Sequence, residues 1–385
     1  MSQPELELSP AELRRRAQTF LVDAVRPDDA LFPYSTIVRS GEYVHDFGHP
    51  SVVRYTINSL LGLQASARND PDELDPAQVS ALTTTFLAHH FERISNPADL
   101  GLLLVLLSEG EPTVHRASEL LSRVDAAAHS TAAGRLTMQE ASWMLWGACA
   151  AAQAGLETGA ATAGAIAELI LGRFVDPGSG LPRHSLRRYR GDIVSFGALT
   201  YFLRAMFEFS KLSGDTRAHN AFERGVEAIV RIQGDRGEWP WLISVRGGVP
   251  LDIYPVFAVH QDSMSMLFLL PALESGLNVR EAIAKSFAWI RGRNELSTPM
   301  IEQEPFVAYR SIERTEGLPR ARRYLRATIG SVTGGKGELA NGRGVRLNRE
   351  CRSYHLGWIL YVWSGASRDA AAAADAALST QRSGR

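Results

Sequence analysis

Helical segments that are apolar all round take turns with segments that are apolar on one face, and this alternation restricts the chain to very few folds. Segment 51–66 carries Val52, Val53, Ile57, Leu60, Leu61 and Leu63 on all its sides. A helix apolar on every side is buried on every side. Segments 98–108, 138–154, 193–212, 259–275 and 353–363 repeat that texture. Between them, 76–93, 112–127, 160–174, 218–232 and 279–291 are amphipathic. A capped helix at 9–25 opens the series and 367–377 ends it. Ser9-Pro10-Ala11-Glu12 forms a capping box with proline at the first helical position. Pro177, Gly178 and Gly180 close the helix before them.

Half-buried and fully buried helices in alternation cannot cover their apolar faces one pair at a time. Stacked pairs can, and they close on themselves. The expected fold is all-α, an (α/α)6 toroid of about six outer/inner helical hairpins forming one domain over 1–385. A prior of ~150 residues per domain would split the chain, but each hairpin extends one continuous core. The inner segments contain small residues, Gly62, Gly147, Gly197 and Gly357 among them, that let neighbouring helices approach closely. The only extended stretch expected is 241–253, a hairpin around Arg246-Gly247-Gly248.

Three outer-to-inner connections are long, 26–50, 233–258 and 292–352, and such a ring gathers them at one mouth. Their Trp, Tyr, Pro, Arg, His and Asp content argues against disorder. The functional site is expected there. With 41 basic and 42 acidic residues and no long run of like charge, nucleic acid is not an expected partner. The longest apolar run, 102–107, is far short of the ~18 residues a spanning helix needs. The polar start of the chain does not read as a leader, so a cytoplasmic protein is expected. Two cysteines, Cys149 and Cys351, make no disulfide framework. Oligomeric state stays open.

Several polar clusters fall on these loops. His260, Gln261 and Asp262 begin an apolar inner helix, where Asp262 alone would suffice to cap it. His45, Asp46 and His49 occupy the corresponding place before the first inner helix, with Asp46 and Ser51 also able to serve as turn and cap residues. Glu350, Cys351, Tyr354 and His355 lie where the last inner helix begins. Asp262, His260, Asp46 and Glu350 are the expected proton-transfer groups. Trp239 and Trp241 flank a proline and offer a rigid surface for a sugar ring or an isoprenoid, or simply anchor the loop. Tyr254, His45, Tyr354, His355, Arg310 and Arg188 complete the expected binding set, the arginines suiting a carboxylate or phosphate unless they form surface ion pairs. Cys351 and His355, four apart, share a helix face and suit two zinc ligands, with Asp262 or His260 to add. Two ligands do not make a site, so no cofactor is expected.

The whole chain resembles the α/α-toroid class of six-hairpin glycosidases, polysaccharide lyases, terpene cyclases and protein prenyltransferases. Gly237-Glu238-Trp239-Pro240, with 254–264 and Tyr354-His355, is similar to the helical domain of glucuronyl C5-epimerases and to bacterial proteins linked with exopolysaccharide synthesis. That resemblance implies a carbohydrate-active enzyme, a hydrolase, lyase or epimerase acting on an oligosaccharide or smaller glycan, acidic where the arginines are engaged. The alternatives are a terpene-cyclase-like enzyme and a non-catalytic toroid binding a glycan or a protein. The Asp-x-Asp-Asp motif of class II cyclases and the Asp-x-Cys zinc motif of prenyltransferases are both missing.

Overall fold

A computed structural model describes residues 8–110, 114–130, 133–187, 192–315, 327–329 and 344–382. Helix α1, Pro10–Ala24, starts where the Ser9 hydroxyl accepts the amide of Glu12. Six inner helices follow at intervals: α2 (Val52–Asn69), α4 (Pro97–Glu109), α6 (Met138–Gln153), α8 (Phe196–Ser213), α10 (Met266–Glu274) and α12 (Ser353–Trp363). The outer helices between them are α3 (Pro76–His90), α5 (Val114–His129), α7 (Gly159–Leu169), α9 (Thr216–Val230) and α11 (Arg280–Ile290). Their starts obey local chemistry: Asp75, Asn96 and Asp215 cap by side chain, and Thr137 with Glu140 forms a reciprocal capping box.

Around the ring α2 packs on α4, α4 on α6, α6 on α8 and α8 on α10. The π-helical turn His260–Met264, which leads into α10, meets α12, and α12 returns to α2. Each of α2, α4, α6, α8 and α10 also packs on the outer helix that follows it, and α1 covers α12 from outside. The final helix, α13 (Arg368–Arg382), lies against α11 and α1. One apolar cluster runs from Leu8 to Ala374 through every inner helix, as the alternation of buried and half-buried segments requires.

Glycines set the closest crossings. A Cβ on Gly62 of α2 would sit 2.2 Å from the Gly357 carbonyl oxygen of α12, and one on Gly357 would sit 2.4 Å from that of Asn58. Between α4 and α6, a Cβ on Gly147 would sit 2.4 Å from the oxygen of Gly101. Backbone is thus in contact with backbone at the seam that closes the ring. Of the small residues singled out in the sequence, Gly197 differs, since a Cβ there would touch only the Met264 methyl, at 3.3 Å.

Among the described residues the connections into the inner helices carry ten short strands, where the sequence suggested extended chain only at 241–253. Strands β1 (Ser35–Arg39) and β2 (Glu42–Asp46) pair as a hairpin. β3 (Ile193–Ser195), β4 (Leu242–Ser244) and β5 (Pro250–Asp252) form one antiparallel sheet. β6 (Val256–Phe257), β9 (Ser311–Arg314) and β10 (Val345–Asn348) form another, and β7 (Ile301–Gln303) pairs with β8 (Phe306–Ala308). Runs of two to five residues are too short to leave a periodic signal, yet long loops must pair their buried backbone groups. β3 also corrects a helix boundary: 193–195 was read as helix because it is apolar, whereas Ser195 accepts the Ala198 amide and starts α8 at Phe196. The connection through 175–195 is therefore a fourth long one.

Because Cβ and backbone carbonyl would overlap, Gly357→Ala is expected to destabilise the protein by about 2–4 kcal/mol, outweighing the ~1 kcal/mol of helix propensity that alanine adds. Gly164 of α7, with nothing within 4 Å of its Cβ position, is the control and gains stability with alanine. Denaturant unfolding of both variants checks this, and a neutral Gly357→Ala would contradict the close crossing.

Candidate functional site at the mouth of the ring

All inner helices begin at the strand-bearing face, so their first turns converge there. The turn His260–Met264 is wound as a π-helix, a local widening often found at functional sites. It buries Asp262 completely. The Asp262 carboxylate accepts Nε2–H of His355, in the first turn of α12, with Oδ1 at 2.8 Å and Oδ2 at 2.9 Å. The Trp363 indole N–H donates to the Asp262 backbone oxygen at 2.7 Å. A buried carboxylate requires such a partner, and this one spans 93 residues of sequence.

His260 lies beside this pair, between the rings of Phe196 (4.6 Å) and Phe257 (5.0 Å). Burial, with the neighbouring His355, pushes its pKa down to about 3. It is therefore neutral at ordinary pH, an aromatic packing partner whose Nδ1 has no hydrogen-bond partner.

An aromatic wall adjoins the pair. Tyr34 stacks on His49 at 3.6 Å and on Tyr55 at 4.9 Å, and Tyr55 meets Tyr354 at 4.5 Å. Burial raises the hydroxyls of Tyr55 and Tyr354, so both stay protonated donors. The Arg352 guanidinium lies 3.8 Å from the centroid of Tyr34. Glu350 bridges Arg352 (2.5 Å) and Arg310 (2.9 Å). Burial would raise the Glu350 carboxyl, but the two arginines hold it below the ordinary value. Glu350 is thus a fixed carboxylate that positions arginines, rather than the proton donor the sequence suggested. Deeper in the ring, Tyr201 meets Trp143 edge-on at 4.7 Å, and Arg54, paired with Asp99, lies over Trp143.

Asp262, His260, His355, Tyr354, Arg310 and Glu350 are therefore brought into one region. The other residues expected from sequence lie elsewhere. Trp239 is fully buried, donates its indole N–H to Ser286 and stacks on Phe196, so it anchors its loop instead of offering a sugar platform. Trp241 packs in a small separate cluster with Ile193 and Leu242. Tyr254 is buried beneath Arg314, and burial with Glu295 and Glu238 nearby raises its hydroxyl. Asp46 is exposed and accepts the Gly48 amide, the turn role also allowed by the sequence. His45 bonds Thr36 and lines a cavity of about 340 Å³ outside the ring, with Phe20, Tyr43 and Phe306. Arg188 lies outside the described residues.

Cys351 pairs its backbone with Thr36 and is buried, which pushes its thiol up to about 12. Its partner in the zinc alternative, His355, is engaged with Asp262. Among the described residues no group of three or more His, Cys, Asp or Glu side chains is arranged to hold a metal. Cys149 is likewise buried and free. Nor, among those residues, is any helix long and apolar enough to cross a membrane.

The sequence matches no family model and no curated protein. Solved structures do match. An unsaturated glucuronyl hydrolase specific for heparin superposes with a TM-score of 0.59 at 10% identity, covering 96% of this chain and 97% of its own. The cellobiose 2-epimerase of Bacillus thermoamylovorans gives 0.60 at 12% identity over 92% and 98%. An α-1,6-mannanase of a Salegentibacter species, in complex with α-1,6-mannotetrose, gives 0.54 at 10% identity over 93% and 98%. The fold is the (α/α)6 toroid. At such identity the likeness carries architecture, and the site must be argued from this chain's own residues.

His260 gives a pH test. The unfolded chain protonates this histidine near 6.5, while the folded protein holds it neutral down to about 3. Its contribution is fully present above pH 6.5 and is lost as pH falls toward 3. Between pH 7 and pH 5 it amounts to about 2 kcal/mol. Urea unfolding should show the parent losing that much more than His260→Gln, and identical pH slopes would contradict the assignment.

Proposed function

We propose that the protein is an enzyme acting on a glycan, of hydrolase, lyase or epimerase type, with Asp262 and His355 as its proton-transfer pair. The observation that carries this reading is the buried Asp262–His355 contact at the ring mouth, flanked on one side by the Tyr34, Tyr55 and Tyr354 wall. Because Nε2 carries the proton shared with Asp262, Nδ1 is the ring nitrogen free to accept one. Asp262 fixes that tautomer and stabilises the imidazolium formed when Nδ1 takes a proton. The sequence assigned proton transfer to Asp262 and binding to His355; here the two act as one unit.

The wall suits sugar. Flat tyrosine faces accept the apolar side of a pyranose ring, and protonated hydroxyls donate to its oxygens. The toroids of similar fold named above include proteins described as a glucuronyl hydrolase, a mannanase and a cellobiose epimerase, which fits a glycan substrate. An isoprenoid cyclase asks for an apolar enclosure, and the charged Arg310, Glu350 and Arg352 at this mouth do not provide one.

The test is turnover of an oligosaccharide panel followed three ways: new reducing ends, new double bonds by ultraviolet absorbance, and inverted centres by NMR. Asp262→Asn and His355→Gln should each lower kcat by about 10²–10⁴-fold, with KM moved far less. Circular dichroism checks that both fold. Full turnover in both variants would remove the pair from the chemistry.

A further inference from the structure

Arg352 is 4% exposed, yet among the described residues its Nε and Nη1 have no hydrogen-bond partner. Only Nη2 is engaged, by Glu350. Leaving buried charged donors unmade is costly, and a guanidinium presents them in one fixed plane. The ring face is covered by Tyr34, so the unengaged donors point along that plane and not into the aromatic wall. Arg352 is also the N-cap of α12, and that helix has no side-chain cap and no acidic residue in its first turn. Ser353, the next residue, is buried with its hydroxyl unpartnered. The start of this helix therefore holds two open guanidinium nitrogens and an unpartnered hydroxyl, beside the positive end of a helix dipole.

Charge supports the same reading. Arg310 and Arg352 share a single carboxylate, that of Glu350. Within that trio the cations outnumber the anion by one, beside a wall built of tyrosines.

Resting on the glycan reading above, we infer that Arg352, steadied by Glu350 and assisted by Arg310 and Ser353, forms a subsite for the carboxylate of a uronate sugar. One oxygen of the trigonal carboxylate accepts from Nη1–H of Arg352, on the opposite side of the guanidinium from Nε–H, while the sugar ring faces the tyrosine wall. Tyr354 and His355, the residues after Ser353, place the proton-transfer pair next to the same sugar. A phosphate ester, with more oxygens and up to two charges, asks for more donors than the arginine leaves open.

Calorimetric titration of the intact protein compares three probes: a glucuronate-terminated disaccharide, the same disaccharide ending in glucose, and the latter carrying a 6-phosphate. The glucuronate form should bind about 10–100-fold more tightly than either of the others, the scale of charge-assisted hydrogen bonds. Arg352→Gln should abolish that preference, bringing the affinity for the glucuronate form down to that for the neutral disaccharide. Arg352→Lys, which keeps the charge and guards against a folding artefact, should retain only part of it, because an ammonium lacks the planar fork. Equal binding of glucuronate and glucose forms, unchanged in Arg352→Gln, would overturn the carboxylate subsite and leave the glycan reading standing. Tighter binding of the phosphate form would overturn it in favour of a phosphorylated sugar. Binding of none of the three would count against the glycan reading as well.

Discussion

The structure depends on one contact, backbone against backbone where α12 returns to α2. Gly62 and Gly357 leave no room for a side chain there, and Asn58 sits across from Gly357. Without that approach the first and last inner helices stand apart and the ring stays open. With it, residues from the two ends of the chain share a space. Tyr55 of α2 meets Tyr354 of α12, and Arg352 lies over Tyr34. The antiparallel bridge between Thr36 and Cys351 fixes the same seam at the mouth. Closure and site assembly are therefore the same event.

Polar chemistry in the mouth follows from where inner helices begin. An apolar inner helix has nothing polar to offer along its length, but its first turn faces the connections. The π-helical turn His260–Met264 and the first turn of α12 are neighbours around the ring, which turns two single polar residues into a paired acid and base. The same burial separates their neighbours. Glu350 is held ionised by two arginines, and His260 is held neutral by aromatic rings. Environment, not residue type, decides which of these groups can exchange a proton.

How much of this can be read from sequence depends on the range of the cause. Helix order and the inner/outer alternation are local properties of composition, and they were legible from the apolar all-round texture of segments such as 51–66 and 98–108. The need for small residues at crossings was legible too, though which glycines touch backbone was not, because that depends on register between helices. Asp262 stood out as a carboxylate at the entrance of a buried helix. His355 did not stand out as its partner, since their pairing across 93 residues exists only once the entrances of α10 and α12 pack together. Trp239 could be read as a sugar platform or a loop anchor for the same reason: its partner Ser286 lies on a different helix, so burial cannot be inferred from the Trp-Pro-Trp run. Arg352 has no local signature at all; its missing partners are visible only in three dimensions.

The most direct measurement of the central claim is a double-mutant cycle on Asp262 and His355, using alanine at each, read by equilibrium unfolding. If packing of the entrance to α10 against α12 pairs them as a buried carboxylate and histidine, removing either should destabilise the fold, and the two losses should fail to add, with a coupling of about 1.5 kcal/mol or more. Losses that add to within about 0.5 kcal/mol would mean that the two residues do not meet, and the proton-transfer site assembled where the entrances of α10 and α12 converge would not exist.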